Sequence, residues 1–280
     1  MRWRRGGVSS DIEDRRGAGL RAGVPLGIGG TVVVAILSLV FGTDLFAVLG
    51  GGETAQVDET GGPVASTPAE DERVEFVSFV LDDLQAVWAR ELEAAGRSYE
   101  RAKLVLFRDA VRSECGVGQS ETGPFYCPAD GKVYLDLGFF DELARRFGAP
   151  GEFAQAYVIA HEIGHHVQNV LGVAGQVRER QAARPAERNA LSVRLELMAD
   201  CLAGVWAHST SERKLLEAGD VESALGAAAA IGDDRLQGAG RGRVAPETFT
   251  HGTSAQRVAW FRRGMERGSP ADCDTFAERP

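Results

Sequence analysis

At 280 residues the chain has room for one substantial domain and a membrane segment, and its 44% hydrophobic and 25% charged residues exclude collagen, coiled coil and wholesale disorder. The formal charge of −9 is unevenly spread: residues 1–22 hold six Arg and three acids, leaving 25 bases against 37 acids in the rest. So acidic a domain repels phosphate backbones, which argues against a nucleic-acid partner.

The first element in chain order is Val24 to Thr43, twenty residues without a charge. As a helix it would span about 30 Å, the thickness of a bilayer's hydrocarbon core. A cleavable signal peptide is the competing assignment, but the apolar run is long for one. Thr43-Asp44-Leu45-Phe46 also offers no small-x-small cleavage site. Six Arg precede the run and the next base is Arg73, so the positive-inside rule keeps the N-terminus in the cytoplasm. The expected organisation is a basic cytoplasmic segment (1–22), one transmembrane helix (23–43), a flexible Gly/Thr/Pro-rich stalk (44–70) and an extracytoplasmic domain (71–280) of a single-pass cell-membrane protein.

Val74, Val77, Phe79, Val80, Leu84, Val87, Trp88 and Leu92 recur at helical spacing up to Gly96. Leu104 to Phe107 is a short strand-like run. Phe125-Tyr126-Cys127 and Val133-Tyr134-Leu135 flank Asp130-Gly131, a hairpin signal. Helical patterns follow over 139–147, 152–170, 187–208, 220–237 and 254–267. Few strands followed by many helices predict an α+β domain, mostly helical with a small sheet.

The four cysteines form no C-x-x-C pair, which disfavours a zinc ribbon. The favoured pairing joins Cys115 to Cys127 across a Gly/Pro-rich loop, leaving Cys201 for Cys273; four free thiols is the alternative. An oxidising location decides for the disulfides.

Chemistry concentrates at His161-Glu162-Ile163-Gly164-His165. Two imidazoles four apart share a helical face and can bind one zinc ion, while Glu162 lies beside the metal, where it can take a proton from zinc-activated water. A zinc site needs a third protein ligand. Glu196 and Asp200, again four apart within an otherwise apolar segment, require a cationic partner. Glu196 is the predicted third ligand, and Asp200 the acceptor for the ring N–H of His161. Gln168 and Leu171 stand where a metzincin has Gly and His. His251 lies in a polar turn before a helix, which reads from the residues alone as part of the helix entry beside Thr253 and Ser254. Tyr157 reads as core packing, His166 as structural or supporting, and His208 as surface.

The E-x-x-x-D after H-E-x-x-H resembles the ligand spacing of the gluzincins, although Leu195 stands where many of them have Asn. More closely, the chain resembles the bacterial neutral zinc metallopeptidases of the YpfJ-like group. The resemblance runs through Met1-Arg2-Trp3-Arg4, Glu13 to Gly17, Tyr157 to Gln168, Leu195 to Cys201, Phe249 to Arg257 and Cys273 to Phe276. It implies a zincin-like fold, a zinc cofactor, a peptide or protein substrate, and for His251 a transition-state role. The expected activity is metal-assisted peptide hydrolysis with Glu162 as general base. The alternatives are a non-catalytic zincin-like binding module and a hydrolase of non-peptide amides.

Overall fold

The computed structural model describes residues 1–17, 64–120, 123–241 and 244–277. The predicted membrane run 24–43 and most of the predicted stalk lie outside the described residues. Among the described residues no helix is long and apolar enough to cross a membrane.

A four-stranded sheet lies in the order β1 (Ile12–Asp14), β2 (Lys103–Phe107), β6 (Lys132–Asp136), β5 (Phe125–Cys127). β1, β2 and β6 run parallel, while β5 runs antiparallel to β6 across the predicted Asp130-Gly131 turn. β2 reads as an unbroken apolar run because both its faces are covered. Leu104 and Leu106 enter the main core, while Val105 and Phe107 join a smaller cluster with Val111 and Tyr134. β3 (Ala110–Ser113) and β4 (Gly116–Gln119) form a separate hairpin that the sequence reading missed.

The helices are α1 (Pro68–Ala94), α2 (Phe139–Arg145), α3 (Glu152–Val170), α4 (Val173–Ala183), α5 (Arg188–Glu212), α6 (Asp220–Ala230), α7 (Asp233–Arg241) and α8 (Ser254–Arg267). α1 starts inside the predicted stalk, because Thr67 and Glu70 form a reciprocal capping box around Pro68. α4 was missed, since its sequence carries no apolar stripe. The single helix predicted over 220–237 is two. A side chain at Gly232 would stand 2.4 Å from the backbone N of Ser254, so the start of α8 wedges against the break. α5 and α8 cross at a pair of glycines: a Cβ on Gly204 would meet the Phe261 carbonyl oxygen at 2.1 Å, and one on Gly264 that of Cys201 at 1.9 Å.

The N-terminus requires a correction. Residues 1–17 are not a segment apart from a domain beginning at 71; they are built into the domain. Ile12, Glu13 and Asp14 pair with Leu104, Val105 and Leu106. The Trp3 indole N–H donates to Glu152 at 2.9 Å, and its ring packs edge-on to Phe76 at 5.4 Å. Arg16, only 4% exposed, forks onto Asp14. Periodicity could not reveal this, because a three-residue strand acquires its identity from the neighbour it pairs with.

Both predicted disulfides are present, Cys115–Cys127 and Cys201–Cys273. The second closes a span of 72 residues and holds the C-terminal turn on α5 one residue past Asp200. In the chain-entropy model such a loop stabilises by about 4 kcal/mol. Cys201→Ser with Cys273→Ser is therefore expected to lower the melting temperature markedly, and more than the Cys115/Cys127 pair, whose shorter loop is worth about 3 kcal/mol. Thermal denaturation of the two double variants checks the ordering.

Candidate metal centre

α3 lies at the middle of the fold, with 14 of its 19 residues buried. Burial on nearly all sides gives a helix without a polar stripe. His161, Glu162 and His165 come from one stretch of it. The facing groups come from α5, and Gly164 sets how near they stand: a Cβ there would lie 3.0 Å from the Ala199 carbonyl oxygen. The glycine inside H-E-x-x-H thus lets the α5 backbone close onto α3 at the level of Glu196 and Asp200.

That approach assembles the predicted ligands. One donor atom each from His161, His165 and Glu196 lie within 4.8 Å of one another. Glu196 Oε2 is 3.1 Å from His161 Nε2, and Oε1 is 3.4 Å from His165 Nε2. The other nitrogen of each ring is already engaged. His161 Nδ1 pairs with Asp200 Oδ1 at 2.9 Å, and His165 Nδ1 with Gln168 Oε1 at 3.0 Å. With Nδ1–H donating in both rings, both Nε2 atoms converge on the space Glu196 faces, and loss of the Nε2 proton would turn each into a lone-pair donor there. The set of two imidazoles and one carboxylate suits zinc. Gln168 is locked by donating to the Leu195 carbonyl at 2.7 Å, so the residue that excludes a metzincin fixes the second histidine here.

Asp200 is fully buried and saturated. It accepts from the Tyr157 hydroxyl at 2.5 Å and from Arg257 Nε and Nη2 at 2.8 and 3.0 Å, besides pairing with His161. Burial pushes its carboxyl up, but Arg257 and His161 outweigh that and hold it below the usual range. For Glu196, burial is likewise overcome by His165 and the hydrogen bonds of both imidazoles, which hold it well down. Glu162 lies outside the three-residue cluster and is only 8% exposed; burial raises its carboxyl.

His251 is half-exposed and held by Asp233. Asp233 Oδ2 accepts from the backbone N–H groups of Thr250, His251 and Gly252 at 2.8, 2.6 and 3.0 Å, while Oδ1 reaches His251 Nδ1 at 3.2 Å. Desolvation alone would lower the imidazole; its bond to Asp233 and the field of Glu196 raise it instead. The helix entry is a separate device, a capping box of Thr253 with Gln256.

His166 is structural, pairing with the Tyr126 hydroxyl and the Glu100 carbonyl. His208 is partly covered and pairs with the Met265 carbonyl. Sequence reasoning missed Gln168, Asp233 and Arg257 as parts of the site. Arg257 carried a legible signal. It shares the spacing of Trp260, Phe261 and Gly264, the buried face of α8, and an arginine there demands a buried anion.

Two histidines and a glutamate from facing helices, with a buried carboxylate beside them, form a donor set that fits a zinc ion. The chain belongs to the family described as "Putative neutral zinc metallopeptidase", which matches residues 1–276 and carries a zinc cofactor. It is 48% identical over 290 aligned positions to the Escherichia coli (strain K12) protein "Uncharacterized protein YpfJ", covering 99% of both chains. To "Uncharacterized protein Rv2575" of Mycobacterium tuberculosis (strain ATCC 25618 / H37Rv) it is 46% identical over 207 positions, 70% of this chain and 68% of that one. No solved structure matches it significantly.

Zinc uptake should displace protons. Burial pulls the His161 imidazole down, but Asp200 and the Glu196 hydrogen bond outweigh it and push it up to about 10 in protein without metal. A raised imidazole adds stability to that form in full below its unfolded value near about 6.5, and the contribution is lost as pH rises through about 10. Zinc requires the neutral ring, so its affinity should rise with pH across this window. Calorimetry of zinc binding at pH 7 in buffers of different ionisation enthalpy should show release of at least about one proton.

Proposed function

We propose that the protein is a membrane-attached zinc metallopeptidase that hydrolyses peptide bonds, with His161, His165 and Glu196 as metal ligands and Glu162 as general base. The observation that carries this reading is Glu162, a buried carboxylate raised by burial, adjacent to a ligand but outside the ligand set. A purely structural zinc site has no use for such a group. Zinc supplies Lewis acidity toward the scissile carbonyl and toward water. Glu162 takes the proton from the attacking water and later delivers it to the leaving amine. His251, whose imidazole the bond to Asp233 raises, stabilises negative charge that develops on the carbonyl oxygen. Asp200 and Gln168 keep the two ligand imidazoles in the tautomer that offers Nε2.

The competing reading, a binding module for an extracytoplasmic partner, predicts zinc without turnover. The test is cleavage of a mixed peptide library by purified protein, before and after chelation and after zinc is restored. Cleavage that follows zinc supports the peptidase; zinc bound at one equivalent with no cleavage of any peptide favours the module.

Membrane attachment rests on the uncharged run 24–43, and an extracytoplasmic active site on the two disulfides, which persist in oxidising compartments. Retention of the protein in the membrane pellet after an alkaline wash supports the attachment, and its release argues against it.

A further inference from the structure

We propose that Arg257 is a positioning residue of the metal centre: it fixes the plane of the Asp200 carboxylate and thereby the ring of His161. This rests on the zinc-site reading above. Arg257 is 2% exposed and comes from α8, which supplies none of the ligands. Its guanidinium grips both oxygens of Asp200, Nε on Oδ2 and Nη2 on Oδ1. A two-point grip defines the orientation of a carboxylate, which one ammonium could not do. Oδ1, so held, is the atom that receives both the Tyr157 hydroxyl and His161 Nδ1. Nη2 also lies 3.4 and 3.5 Å from the two nitrogens of the His161 ring, closing one side of its position. Nη1 donates to the Ile231 carbonyl at 3.3 Å, at the end of α6. One side chain thus ties α8, α6 and α5 to the first ligand helix. Without it, a fully buried carboxylate would lose its main counter-charge, and Oδ1 would no longer be held on His161.

The test compares Arg257→Met, Arg257→Lys, Asp200→Asn and the double variant Arg257→Met/Asp200→Asn. Zinc dissociation constants come from competition with a chromogenic chelator, and stability from the melting of protein stripped of metal. Arg257→Met should weaken zinc binding by roughly ten- to a hundredfold, as expected for loss of support behind a ligand histidine. Arg257→Lys should restore charge but only part of the affinity, because it cannot fork. The double variant should bind zinc about as Asp200→Asn does, since Arg257 acts through Asp200. If Arg257→Met alone fails to fold, the double variant, with neither charge buried, keeps the comparison. Wild-type affinity in Arg257→Met, or a further tenfold loss in the double variant beyond Asp200→Asn, would overturn the proposal. The readout is metal affinity relative to wild type, so absence of peptide cleavage would count against the peptidase reading alone.

A second inference rests on the N-terminal strand. We infer that residues 1–17 occupy the same compartment as the zinc centre. The chain is in the folded domain at Gly17 and again at Val64, and β1 is hydrogen-bonded to β2. An odd number of membrane crossings between those points would take β1 away from its partner. Only one run between them, 24–43, is uncharged and long enough to cross. A single crossing by that run is therefore incompatible with the pairing of β1 and β2. Val8 is 62% exposed and Glu93 is an exposed residue on α1. Val8→Cys and Glu93→Cys should react alike with a membrane-impermeant maleimide on intact cells. Labelling of Glu93→Cys with protection of Val8→Cys until lysis would overturn the inference.

Discussion

Glu162→Gln is expected to lower peptide hydrolysis by at least about a hundredfold, the usual contribution of a positioned general base, while zinc stays bound near one equivalent. The amide keeps the shape of the side chain and disturbs neither ligand histidine, each of which is oriented through its own Nδ1 partner. Stability supplies an independent check. Burial raises the Glu162 carboxyl, so its charged form costs the fold free energy at neutral pH. The neutral amide removes that cost, and the variant stripped of metal should melt no lower than wild type stripped of metal. An inactive but equally or more stable protein is what a group held for chemistry predicts. Full activity in Glu162→Gln would refute the hydrolytic mechanism.

Replacement of Glu196 by Ala is expected to strip the metal and the activity together. Glu196 is the one anionic member of the cluster and faces both imidazoles at 3.1 and 3.4 Å. Asp200→Asn should be milder. Asp200 supports His161 through Nδ1 and lies outside the cluster, so zinc affinity should fall by roughly ten- to a hundredfold. Metal content by mass spectrometry, beside the rate at saturating zinc, separates the two. Excess zinc should recover much of the Asp200→Asn activity and little of that of Glu196→Ala. Full zinc in Glu196→Ala with loss in Asp200→Asn would reverse the roles of the two acids.

Spacing along single helices was enough to find most of this centre. His161 with His165, and Glu196 with Asp200, are four apart, and four residues return a helix to the same face whatever surrounds it. An apolar context around two acids announced a buried cation in the same local way. The pairing of cysteines was legible because one short Gly-rich loop left a single partner for each of the others. The hairpin at Asp130-Gly131 and the buried strand at 104–107 follow equally from near-neighbour chemistry.

What the sequence left open depends on residues far apart along the chain. Glu196 reaches the histidines because Gly164 admits the α5 backbone, and that distance is set by packing between two helices. Gln168 looked like a missing metzincin position until its contact with Leu195 gave it a task. Arg257, 57 residues from Asp200, and Asp233, 18 from His251, acquire their roles only once α8, α7 and α5 have docked. Residues 1–17 mark the same boundary most sharply. Their charge and the apolar run after them assigned them to the far side of a membrane by rules that treat each segment alone. The hydrogen bonds from β1 to β2 join them to the domain that holds the candidate zinc site, because a strand's partner is a tertiary fact that no local pattern encodes.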